Sequence, residues 1–131
     1  MAILSILLAA LASFALGAVW YMALAKPWMA ASGVPVGADG KPANSGSPVP
    51  YLVSFIAMLI IAATMRYGFG LAGITTPIGG FFGGLAVGAL FIAPWITLNI
   101  GYSNRPWFLA GIDGGYAALG CAVMGLVLGL F

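Results

Sequence analysis

From Met1 to Ala25 the chain reads MAILSILLAALASFALGAVWYMALA, with no charged residue and no proline. A helix of this length crosses the roughly 30 Å of hydrocarbon in a bilayer, which takes about 20 residues. Three further apolar stretches follow, and the 131 residues hold only four Lys or Arg, two Asp or Glu and no His. Soluble domains draw on about a quarter charged residues for their surface. At 5% charged, this chain has no means of coating itself for water. The reading is an all-α integral membrane protein, four transmembrane helices in a compact Gly-rich bundle, with no room for a soluble domain. A β-barrel does not fit, because barrel strands alternate in polarity over about ten residues and these runs are continuously apolar.

The same scarcity excludes functions. One cysteine, Cys121, gives no disulfide framework. Without histidine and with two acids, no ordinary zinc or His-based catalytic site can be assembled, so neither metal nor cofactor is expected. A net charge of +2 is no nucleic-acid footprint. Nucleophile and base would have to come from Ser, Thr, Tyr and one buried acid with no convincing spacing, so the chain reads as a non-enzyme.

The first stretch lacks the basic start of a signal peptide and is read as a retained helix over about 2–25. Residues 26–49 are rich in Gly, Pro, Ser and Ala and form an extramembrane loop, with a turn at Asp39-Gly40 and a short interfacial helix opening at Pro27 and ending at Ser32. The second helix covers about 50–70, with Arg66 snorkelling to the interface. Pro77 suits the first position of a third helix over about 77–98, in whose last turns Pro94 should kink or end the hydrogen bonding. Pro106 suits the first position of a fourth, to about residue 130.

Four crossings put both termini on one side and the loops 26–49 and 99–105 on the other. The loop side holds Trp20, Tyr21, Trp28, Tyr51, Trp95, Tyr102 and Trp107 against Tyr67 alone on the far side, as an aromatic belt would. It also holds Lys26, Lys41 and Arg105 against Arg66, so positive-inside counting places the loops in the cytoplasm of a bacterial inner membrane. The tryptophans read as interface anchors, with a stacked cage for an aromatic or quaternary ligand as the alternative.

Glycine gathers in the last two helices. Gly80, Gly84 and Gly88 repeat at GxxxG spacing in the third. In the fourth, Gly111, Gly115, Gly125 and Gly129, with Ala118 and Ala122 between them, fall on one stripe that should pack on the third. Asp113 is the one acid within a predicted span, roughly 10 Å along the helix from Pro106. An ionisable group at that depth marks a functional-site hypothesis. It lies about opposite the glycine stripe, on a face with Leu109, Tyr116 and Gly120, so the fourth helix needs a neighbour on both sides. Arg105, Lys26, Tyr21, Tyr102, Tyr116, Asn99 and Asn104 are its candidate partners. A cation there would make a structural clamp; without one, the carboxylate becomes a candidate proton or cation carrier. Cys121 reads as a small packing residue.

Two elements carry a resemblance: Gly17-Ala18-Val19-Trp20-Tyr21 with Trp28 shortly after, and the run Asn104-Arg105-Pro106-Trp107-Phe108-Leu109-Ala110-Gly111-Ile112-Asp113-Gly114-Gly115-Tyr116 ahead of Val123-Met124-Gly125. They resemble a family of small bacterial four-helix membrane proteins catalogued as domain of unknown function 1761. Members often follow the Trp-Tyr pair with a proline and an aromatic residue, where this chain has Met22-Ala23-Leu24-Ala25. The resemblance implies four helices, directs attention to Trp20, Tyr21, Arg105, Asp113 and Tyr116, and implies no activity.

Two functions then compete. Two close-packing faces on the fourth helix and minimal loops suggest a structural or accessory protein in the bilayer, as a homo-oligomer or a subunit of a larger membrane complex. The alternative is a transporter or channel for a small ion or solute with Asp113 as its coupling site.

Overall fold

A computed structural model describes all 131 residues. It is all-helical, and four of its helical stretches, Ala2–Ala23, Val49–Ala72, Pro77–Tyr102 and Phe108–Leu128, are long and apolar enough to cross a membrane. The first is α1 (Ala2–Ala23). A short α2 (Ala25–Ser32) follows almost without a gap. Proline at position 27 has no N–H to give the carbonyl of Ala23, and the chain turns at Leu24, whose φ of −107° leaves the helical region. The helix thus opens two residues ahead of Pro27, where the sequence alone placed its start.

Gly33 ends α2 at φ 70°, a left-handed conformation open to glycine at little cost. The loop then folds on itself. Ala43 N–H donates to Pro35 O at 2.8 Å and Gly37 N–H to Lys41 O at 2.8 Å, around the expected Asp39-Gly40 turn. Helix α3 (Val49–Ala72) closes at Gly73. Thr76 caps the next helix, α4 (Pro77–Val87), its side-chain oxygen accepting from Gly79 N–H at 3.1 Å, with Pro77 in the first turn.

The third span does not end near Leu98 but runs on to Tyr102. Between α4 and α5 (Ala93–Tyr102) lies a π-helical turn, Gly88–Ile92, in which Ala93 N–H donates five residues back to Gly88 O. Widening the turn just ahead of Pro94 accommodates its ring and missing donor, so the span runs through the proline without stopping. The stop comes at Asn104, in the left-handed region at φ 54°, where Arg105 N–H reaches Ile100 O at 3.1 Å. The fourth span, α6 (Phe108–Leu128), starts two residues after Pro106, whose carbonyl accepts from Leu109 N–H in an entering turn.

Helix α6 is the centre of the molecule, with nine of its residues among the 23 buried in the whole chain. Helix α1 lies along one side of it and α4, the π turn and α5 along another, while α1 touches neither α4 nor α5. Helix α3 packs mainly on α1. The contact between α4 and α6 is made of backbone: a Cβ on Gly80 would strike Gly125, one on Gly84 would strike Cys121 and one on Gly88 would strike Ala117 and Ala118. The upper part of the stripe departs from expectation. Gly111 has open space around it, Gly115 lies against Trp20 of α1, and Gly114 instead meets Ala93. At about 100° per residue Gly114 lies on the same side of α6 as Ala118, Cys121 and Gly125, so the third span keeps to one face of α6 past the π turn, through Gly114 in place of Gly111 and Gly115.

Candidate functional site

One face of α1 and one face of α6 meet through polar side chains near the loop end of the bundle. Tyr21 Oη donates to Asp113 Oδ1 at 2.7 Å. One residue earlier on each helix, Trp20 Nε1 donates to Ile112 O at 2.9 Å. One turn along α6, Tyr116 Oη donates to Ser13 O at 2.9 Å, with Met58 Sδ of α3 at 3.8 Å. Ser13 Oγ points to the same sulfur at 3.5 Å.

Small residues make the meeting possible. Gly17 sits one turn from Ser13 and one from Tyr21, and a Cβ there would lie 2.6 Å from Tyr116 Oη. Gly120, one turn from Tyr116, would bring a Cβ to 3.0 Å from Ser13 Oγ. The rings of Tyr21, Trp28 and Tyr116 pack edge to face: Tyr21 to Trp28 at 5.9 Å and 77°, Tyr21 to Tyr116 at 5.4 Å and 75°.

These groups line a cavity of about 990 Å³, within the upper range of small-molecule pockets. Ser13 and Tyr21 of α1, Met58 of α3, Ile92 and Ile96 of the third span and Asp113, Tyr116 and Cys121 of α6 form its walls. Trp28 of α2 and the loop residues Lys41 and Asn44 line it at the loop end. Its walls adjoin two packed clusters. Cys121 belongs to the larger, with Ala9, Ala62, Met65 and Met124; Trp28 and Ile96 border a smaller one of Ala31, Ile100 and Leu109.

The predicted site residues thus divide. Asp113, Tyr116, Trp20 and Tyr21 come together. Arg105, Lys26 and Asn99 are exposed, and Asp113's hydrogen bond runs to a tyrosine and not to any cation. The reason is directional: Arg105 lies in the connector before α6, and Lys26 and Asn99 sit on faces of α2 and α5 turned outward. Trp20 is an interhelix donor and Trp28 packs on Tyr21, both half-buried, whereas Trp95 and Trp107 are exposed. Ser13, Met58 and Lys41 were not foreseen at the site. Of these only Ser13 carried a signal, one turn before Gly17 on the face that leads to Tyr21.

A family model described as protein of unknown function (DUF1761) matches residues 4–129, and the chain belongs to that family. It is a multi-pass membrane protein by its four apolar spans. No curated protein and no solved structure matches it.

Proposed function

We propose that the protein binds a small solute within the bilayer, as a transporter does, with the cavity around Asp113 as its site. The observation that carries this is the carboxylate itself. Asp113 faces a cavity wide enough for a ligand, and its partner is a tyrosine hydroxyl that leaves the charge uncompensated. Asp113 is half-buried within a membrane span, and a carboxylate held there without a cation costs folding energy, as groups on ion and substrate paths do. The reading is non-enzymatic.

The accessory or oligomeric reading rested on the need of α6 for neighbours on both faces. One chain supplies both, α1 at Asp113 and α4 with α5 opposite, so no second subunit is required for that purpose. Orientation completes the proposal: Lys26, Lys41 and Arg105 put the loops 26–49 and 99–105 in the cytoplasm of a bacterial inner membrane.

Solute flux into proteoliposomes tests the function. Wild-type protein is expected to carry at least one member of a panel of ions and small organic solutes, and Asp113→Asn is expected to lose that flux. Equal flux from the two proteins, or none over the panel, overturns the proposal, and a stable oligomer or copurifying complex would then favour the accessory reading.

A further inference from the structure

Within that reading of the cavity as a solute site, we infer that its occupant is a monovalent organic cation with an apolar, preferably aromatic body. Asp113 is the one acid among the lining residues, and Tyr21 occupies only its Oδ1. Oδ2 accepts no hydrogen bond, and no buried side-chain oxygen in the molecule is left unpaired, so Oδ2 is accessible. A cation brought to it would complete the pairing that Arg105 and Lys26 do not make.

The walls specify the rest of the ligand. Trp28 and Tyr116 each pack edge to face on Tyr21, all three rings line the cavity, and a ring face attracts a cation within about 6 Å. The remaining lining is mostly hydrophobic, including Ile61, Ile92, Ile96 and the thioether of Met58. Such a surface would leave a hydrated inorganic cation short of oxygen ligands, since calcium takes about six to eight. An anion would face Asp113, and a neutral solute would leave Oδ2 unpaired beside apolar atoms. Lys41 is the one cation of the lining; it is exposed on the loop, makes no ion pair with Asp113, and shares its turn with the opposite formal charge of Asp39, whose carboxylate accepts from the Lys41 backbone N–H at 3.1 Å. Among the lining residues that the helices supply, Asp113 carries the one charge.

The test uses two ions of one shape and opposite charge, tetraphenylphosphonium and tetraphenylborate, in equilibrium dialysis against the full chain in lipid nanodiscs. Saturable binding of the phosphonium is expected, at least about tenfold weaker in Asp113→Asn, whose carboxamide oxygen still accepts from Tyr21. Trp28→Leu, which removes a ring and leaves the Tyr21–Asp113 bond its own partners, should weaken the phosphonium more than the borate. Ala117→Phe, projecting into the cavity, should abolish binding. Equal affinity for the two ions, or no change in Asp113→Asn with loss in Ala117→Phe, overturns the charge assignment while leaving the cavity a solute site. Absence of saturable binding by either ion overturns the inference, and the proteoliposome flux then decides separately whether the site reading survives.

Discussion

Trp20 donates to the carbonyl of Ile112 at 2.9 Å, and Tyr21, the next residue, donates to the carboxylate of Asp113, the next residue on the opposing helix. Two consecutive side chains of α1 thus hold two consecutive residues of α6 across 92 positions of sequence. Hydrogen bonds between membrane helices contribute about 0.6 kcal/mol on average and up to about 1.7. Tyr21→Phe should lower unfolding free energy in mild detergent by an amount in that range. Asp113→Asn should leave it unchanged or raise it, because an amide oxygen still accepts from Tyr21 and the unpaired charge is removed. A double-mutant cycle of Tyr21→Phe with Asp113→Ala should return a coupling energy of similar size; a coupling of zero would show that the bond contributes nothing to stability.

The backbone contact between α4 and α6 gives a sharper contrast. A methyl group on Gly84 would strike the Cys121 carbonyl, and backbone cannot swing aside as a flexible side chain can. Overpacking of this kind costs about 1–3 kcal/mol. Gly84→Ala should therefore lower the melting temperature in detergent clearly. Gly111→Ala, with nothing within 4 Å of the added carbon, should be neutral or slightly stabilising, since alanine is the better helix former by about 1 kcal/mol. Equal losses in the two variants would mean that the helices do not approach as closely as these glycines allow.

Which parts of this were readable beforehand follows from which forces are local. The four spans were legible because hydrocarbon thickness and charge exclusion act on every stretch of chain independently. Asp113 stood out for the same reason. Its partner was legible only as one of several, Tyr21 beside Arg105, Lys26 and others, because only the rotation of α1 against α6 decides among them. Gly111 was assigned to the glycine stripe on a straight-helix wheel. Past the π turn at Gly88–Ile92 the third span meets α6 through Gly114, on the side of Ala118, Cys121 and Gly125, and Gly111 lies outside that contact. The Pro94 effect was legible as a disturbance, but whether a span stops or widens its turn depends on packing against α6.

Gly17 and Tyr116 should behave as one unit. A Cβ at Gly17 would lie 2.6 Å from the tyrosine hydroxyl and 2.8 Å from its Cζ, so Gly17→Ala must push the ring out of place and break its bond to Ser13 O. A loss of about 1–3 kcal/mol is expected from the single substitution. Once Tyr116 is replaced by leucine the clash is gone, and Gly17→Ala added to Tyr116→Leu should cost little more. Additive losses, measured by thermal unfolding of all three variants, would show that the two residues do not touch.

Orientation can be settled with single cysteines, because the background thiol Cys121 is buried and Cys121→Ala changes only a small packing group. Gly46 lies in the loop with open space around it, and Leu130 is exposed beyond the end of α6, on the opposite side of four antiparallel spans. Three of the four cations fall on the loop side, and such residues resist transfer across the membrane during insertion. In right-side-out vesicles, Leu130→Cys should therefore react with a membrane-impermeant maleimide at once, and Gly46→Cys only after permeabilisation. The reverse pattern would place Lys26, Lys41 and Arg105 outside and would turn the loop end of the Asp113 cavity toward the cell exterior. Labelling of both cysteines in sealed vesicles would mean that the chain inserts in two orientations, which a margin of three cations to one leaves open to a small membrane protein.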